Sequence, residues 1–302
     1  MRGLEIEIAG LQLSNPTILA SGILDETGAS MLQVAEAGAG AIVTKSIGLD
    51  PRPGYPNPTF LEMPHGYLNA MGLPNPGIDG FEEEMRVATR SRTPIIGSVF
   101  AAVPEDFARL ASRMESFGAK AVELNLSCPH AKGYGMEIGV DPEAVGAIVK
   151  AVKHACQVPV FAKLTPNTHR LVEVARSVQD AGGDGIVAIN TLKAMAISVE
   201  MRRPFLSNLG GGLSGPGIKP VGVRCVFDLK EALKIPIIGV GGIETWRDAV
   251  EYIMAGASAV QIGSAVSSRG LGVFAEVRNG MAVFMEREGI SSVQDMVGAA
   301  HG

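Results

Sequence analysis

Of the 302 residues, 38 are glycine, about 13% and roughly twice the ordinary share, while aromatic side chains make up only 5% and hydrophobic ones 46%. Glycine and proline together stay below the ~25–30% of low-complexity chains and follow no triplet period, which excludes disorder and collagen-like structure. A net charge of −5 without like-charge blocks gives no footprint for nucleic acid or anionic lipid, and three cysteines without C-x-x-C spacing exclude a disulfide framework.

The chain opens on MRGLEIEIAGLQL, whose alternation of apolar and polar residues predicts a β-hairpin. It lacks the basic end, apolar run and cleavage site of a signal peptide, so the protein is expected in the cytoplasm. No apolar run reaches the ~18–20 residues of a membrane span. NPTILASG then reads as a first buried strand, and AEAGAGAIVTKS (35–46) as a helix end closed by glycine and followed by a second. TPIIGSV gives a third strand, SFGAKAVELNLSC (116–128) a fourth, VPVFAKLTP a fifth and DAGGDGIVAINT (180–191) a sixth. IPIIGVGG and MAGASAVQIGSA (254–265) complete the set of eight. Amphipathic helices are expected between them, over 26–37, 80–91, 104–117, 142–156, 169–181, 219–233, 245–255 and 274–287. Eightfold alternation predicts one α/β domain over 1–302, a (β/α)8 TIM barrel with long loop insertions at its C-terminal mouth, 48–77 and 192–217. A doubly wound open sheet is the other architecture that this alternation allows.

Such barrels carry their sites at the C-terminal ends of the strands. Those ends hold Ser21; Thr44, Lys45 and Ser46; Asn125, Ser127 and Cys128; Lys163 and Thr165; Asn190 and Thr191; Gly241 and Gly242; Gly263 and Ser264. Neither Lys45 nor Lys163 has an acidic neighbour in sequence, so each is expected to meet an anion or a delocalised negative charge. The glycines after the seventh and eighth strands are placed to present backbone N–H groups to a phosphate. Gly210-x-Gly212-x-x-Gly215 has the spacing of a dinucleotide fingerprint but not its strand–helix context, because Pro216 and Pro220 interrupt the helix. Cys128 stands at the mouth as a nucleophile, a base or an inert hydrophobe, whereas Cys156 and Cys225 fall on helices as packing residues. The histidines have no metal spacing, and no metal is expected.

Taken in order, NPTILASG, IVTKSIGLDPRPG, LNAMGLPNPG, VELNLSCPH, FAKLTPN, INT, GGLSGPGIKP and IIGVGGIE with AVQIGSA resemble class 1 dihydroorotate dehydrogenases, and LDPRPG and LNAMGLPNPGIDGF resemble subgroup 1B. The resemblance covers about residues 3 to 295. It implies one bound FMN per chain and oxidation of dihydroorotate to orotate in pyrimidine synthesis. It makes Cys128 the general base, under a loop at 130–140 that closes over the substrate, and places Lys163 beside the flavin. Lys45 reaches both flavin and substrate. Ser21, Ser46, Asn125, Ile189, Gly215, Gly241, Gly242, Gly263 and Ser264 contact FMN, and Asn69, Ala70, Met71, Gly72, Leu73, Asn125, Asn190 and Thr191 hold the substrate. His130 and Ser98 stand where the family commonly has asparagine. The resemblance further implies a partner subunit with FAD and a [2Fe–2S] centre, passing electrons to NAD in a heterotetramer built on a catalytic homodimer, since three cysteines cannot furnish the usual four ligands. Two other chemistries share these features: an FMN enzyme acting on another dihydropyrimidine, and a phosphate-binding lyase with a lysine Schiff base.

Overall fold

The computed structural model describes residues 3–126 and 138–302. Eight parallel strands, Thr17–Leu19, Ala41–Val43, Ile95–Val99, Ala121–Asn125, Val160–Leu164, Gly185–Ala188, Ile237–Val240 and Ala259–Ile262, pair in chain order, and the eighth returns to the first to close a barrel. The open-sheet alternative is thereby removed.

Each strand is buried on both faces, which is why these segments read as unbroken apolar runs. Outward residues such as Leu19, Ile42 and Val122 pack under helices Gly28–Glu36, Pro104–Ser116, Pro142–Ala155, Leu171–Asp180, Lys219–Ala232, Trp246–Met254 and Gly272–Glu288. Thr27 and Asp141 start two of these helices by accepting the backbone N–H groups of Ser30 and Glu143, and Thr245 with Asp248 forms a reciprocal capping box. The expected helix over 80–91 is two pieces, Gly77–Gly80 and Glu82–Ala88, joined at the fully buried Phe81. Gly38, Gly118, Gly182 and Gly256 close helices with φ of +95°, +97°, +87° and +122°, as the repeated pattern requires.

Inward residues form a separate cluster of Ile18, Val43, Ile96, Phe161, Val187 and Ile238. The predicted hairpin, Ile6–Ile8 with Leu11–Leu13, adds Ile8, Leu11 and Leu13 to this cluster beside Ala41, Ala121 and Ala259, the first residues of their strands. It therefore stops the N-terminal end of the barrel.

The two insertions are not plain loops. Phe60–Met63 and Gly66–Asn69 form a hairpin, Leu192–Ala194 pairs with Gly211–Ser214, and the two units join through Tyr67–Asn69 and Gly212–Ser214 into a four-stranded antiparallel sheet. Gly211–Ser214 is thus a strand of this cover, leading into a 3-10 turn at Pro216, which disposes of the dinucleotide reading. Among the described residues no helix is long and apolar enough to cross a membrane.

Candidate active site

The strand ends and the cover enclose one cavity of about 700 Å³, within the ~300–1,000 Å³ typical of small-molecule and cofactor sites. Of the strand-end candidates Thr44 does not line it and Ser127 lies outside the described residues, whereas all the described residues that the resemblance assigns to cofactor or substrate do line it. From the strand ends come Ser21, Lys45, Ser46, Asn125, Lys163, Ile189, Asn190, Thr191, Gly241, Gly242, Gly263 and Ser264; from the cover come Asn69 to Leu73 and Gly215. Cys128 and His130 lie outside the described residues, but Leu126 and Gly139 on either side of that segment are both in the cavity wall.

Both lysines find carboxylates within the chain, contrary to the expectation from sequence neighbours. Lys45 Nζ lies 2.8 Å from Oε1 of the exposed Glu26. Lys163 is deeper: its Nζ donates to Gln261 Oε1 at 3.1 Å and lies 3.4 Å from Glu123 Oε1. Gln261 Nε2 in turn donates to Glu123 Oε2 at 2.6 Å. An ammonium carries three donors. Among the described residues that of Lys163 makes one hydrogen bond and one ion pair, leaving capacity directed at the cavity.

A hydroxyl and amide chain spans the neighbouring strands. Ser98 Oγ lies 2.8 Å from Ser46 Oγ, to which Asn125 Nδ2 donates at 3.1 Å. Ser98 is fully buried and is not in the cavity wall, so its contribution passes through Ser46. On the opposite side, Asn167 Nδ2 donates to Thr165 Oγ1 and to the Thr191 carbonyl at 2.9 Å each, while its Oδ1 accepts the Lys193 N–H at 2.8 Å. Asn75 fixes the proline-rich loop, accepting from Gly48 and Gly77 N–H and donating to the Leu73 carbonyl.

The glycine turn after the seventh strand has φ of +129° at Gly241 and +70° at Gly242. A Cβ at Gly242 would come within 2.7 Å of the Gly215 carbonyl oxygen, so bare backbone is needed there. Tyr252 holds the turn by donating its hydroxyl to the Gly241 carbonyl at 2.8 Å, and burial pushes its phenol well above the usual range. With the Gly263–Ser264 corner this makes a backbone-lined recess beside the two lysines, suited to a flat ligand carrying a phosphate.

Asp25 joins the first two strand ends. Its Oδ2 accepts the N–H of cavity-lining Gly22, and its carbonyl accepts that of Lys45 at 3.0 Å. Oδ1 is buried and has no hydrogen-bond partner among the described residues. Burial raises this carboxyl from 3.8 to about 6, against the lowering effects of the Gly22 N–H and Lys45. The folded state therefore retains a proton that the unfolded chain releases between those values. Stability contributed by this group is complete below about pH 4 and is lost as pH rises through about 6. A shift of about two units corresponds to roughly 3 kcal/mol. Asp25→Asn is expected to gain about that much relative to the wild type between pH 4 and pH 7.5, read by denaturant unfolding at both; a pH-independent difference would contradict it.

Cys156 and Cys225 behave as the helix positions suggested: burial pushes each thiol up to about 11, leaving little reactive thiolate. Glu123, Gln261, Asp25 and Asn75 join the site although neither strand-end position nor the resemblance assigns them a role. Strand parity could have found the first two, since Glu123 shares a face with Asn125, and Gln261 lies two residues before Gly263.

The family model described as dihydroorotate dehydrogenase matches residues 3–285. The "dihydroorotate dehydrogenase B (NAD(+)), catalytic subunit" of Thermococcus kodakarensis is 54% identical over 98% of this chain and 98% of its own length. The protein of the same description from Pyrococcus horikoshii is 52% identical, over 99% of this chain and 98% of its own. A crystal structure of the Eimeria tenella dihydroorotate dehydrogenase in complex with ferulenol superposes with a TM-score of 0.84 at 25% identity, covering 99% of this chain and 88% of that one. Barrel, cavity and sequence thus agree that the chain belongs to the dihydroorotate dehydrogenase family.

Proposed function

We propose that the chain is an FMN-dependent catalytic subunit that oxidises dihydroorotate to orotate in pyrimidine synthesis and passes the electrons through a partner subunit to NAD. The observation that carries this reading is the Lys163 ammonium, buried on the same cavity as the Gly241–Gly242 and Gly263–Ser264 corners. A cation there stabilises negative charge that develops on a flat cofactor, and the corners accommodate its phosphate. Ser21, Ser46, Asn125, Ile189 and Gly215 complete the cofactor's contacts.

When bound in this recess, FMN would supply the acceptor for the hydride that leaves C6 of the substrate. Cys128 takes the C5 proton, so that loss of proton and hydride leaves the C5=C6 double bond of orotate. Lys45 meets the substrate's carboxylate. Asn69, Asn125, Asn190 and Thr191 offer donors and acceptors to the polar edges of the pyrimidine, with Ala70 to Leu73 closing over it. Asn75 fixes the proline-rich loop on one side of the cover and Asn167 the Thr191–Lys193 backbone on the other. With three cysteines in the whole chain, an iron–sulfur centre with the usual four thiolates belongs to the partner, together with FAD, in a heterotetramer around a catalytic homodimer; the relatives' description as catalytic subunits supports the existence of a partner subunit. The cytoplasm is the compartment proposed.

The purified protein is expected to show flavin absorption, and dihydroorotate added without oxygen is expected to bleach it. A protein that neither carries nor binds FMN, or that a different dihydropyrimidine bleaches while dihydroorotate does not, would reject the proposal.

A further inference from the structure

Three polar side chains of the barrel interior form part of the cavity wall. Glu123 is 1% exposed, Gln261 1% and Lys163 6%, on the fourth, eighth and fifth strands. The inward positions around them are mostly apolar, including Phe161, Val187 and Val240, with Ser98 in register beside Glu123 as a polar exception. A carboxylate in such surroundings is costly unless it is paired and hydrogen-bonded. Gln261 acts as an adapter: its amide N–H meets the carboxylate and its carbonyl the ammonium, the only orientation of that group that suits both charges. The layer is therefore neutral overall and lies in the cavity wall, with Glu123 Oε1 held by the ion pair to Lys163 and by no hydrogen bond among the described residues.

We propose that Glu123, oriented by Gln261, is a positioning residue for Lys163 that also sets the redox poise of the bound flavin. This rests on the FMN reading above. The ammonium alone would present a full positive charge in a medium of low dielectric, where it acts strongly. With Glu123 3.4 Å away, the ligand meets a dipole instead. Its positive end still steadies charge gained on reduction, but the uncancelled attraction that would hold the electrons too firmly for onward transfer is removed. Glu123 thus trades some driving force in the step from dihydroorotate for an easier step to the acceptor. The site's other lysine is not balanced in this way from below, since its partner Glu26 is exposed to solvent, where the pairing is screened.

The test is the two-electron midpoint potential of the FMN-loaded protein. Glu123→Gln keeps the shape and removes the charge; it is expected to favour the reduced flavin by about tenfold or more, which is a positive shift of about 30 mV. Bleaching by dihydroorotate is expected to persist, with reoxidation by the physiological acceptor slowed. Glu123→Asp retains the charge and is expected to stay near the wild-type potential. Should Glu123→Gln not fold, Lys163→Met is compared with Lys163→Met/Glu123→Leu, and the double variant is expected at the higher potential. An unchanged potential in the variant that lacks the carboxylate, or an equal shift in Glu123→Asp, would overturn the inference. Neither result touches the FMN reading, which fails only if wild-type protein binds no flavin or dihydroorotate does not bleach it.

Discussion

Cys128→Ala is expected to slow anaerobic bleaching of the flavin by dihydroorotate by about 10²- to 10⁴-fold, the usual contribution of a positioned general base. The C5 proton of the substrate is weakly acidic, and its removal must accompany departure of the C6 hydride. Among the described residues, the other polar groups of the cavity are cationic or neutral apart from Glu123, whose carboxylate is already engaged by Lys163 and Gln261. The proposed cofactor contacts lie on other residues, so the variant is expected to retain its flavin. Rapid-mixing absorbance under argon separates these outcomes: full-rate bleaching by Cys128→Ala would remove Cys128 from the role of base, while a colourless variant would give it a structural one.

The second large effect concerns folding. Lys163→Met leaves Glu123 inside the barrel with Gln261 as its hydrogen-bonding partner and no counter-charge, and breaking a buried pair from one side costs about 3–5 kcal/mol. Lys163→Met/Glu123→Leu removes both charges and is expected to recover most of that loss, because an apolar pair of suitable volume often replaces a buried ion pair without penalty. Denaturant midpoints of wild type, single and double variants measure the coupling directly. Equal stability of the single and double variants would mean that Glu123 is not a buried charge in need of a partner. This pair of variants reads the barrel's mechanics, whereas the flavin potential reads its electrostatics.

The barrel was legible because its signals are local. A glycine closing each of four helices and apolar runs buried on both faces recur with the chain, and no distant contact is needed to recognise them. The strand-end residues were legible for the same reason, once the barrel fixed which end of each strand faces the cavity. What the sequence did not disclose depends on contacts across the fold. Glu123 and Gln261 lie on the fourth and eighth strands, and only closure brings them together at Lys163. Asp25 looks like an ordinary turn residue until the chain folds over it. In the sequence the cover sheet looks like loop because Gly211–Ser214 carries little strand propensity of its own; its conformation comes from the partner strand at Tyr67–Asn69.

That cover also imposes an order of events. Its central pairing joins Leu68 to Leu213, so the chain between them, with the third to sixth barrel strands, must be made before the two halves can meet. During synthesis the hairpin Phe60–Met63 with Gly66–Asn69 can form early, but it has no surface to dock on until residues 211–214 arrive. Joining such distant segments carries an entropic cost that a nearly closed barrel reduces, because its strands already hold the ends close. The cover is therefore completed late in synthesis, and a polypeptide truncated before residue 211 would lack the strand through which the two sides of the sheet over the cavity join.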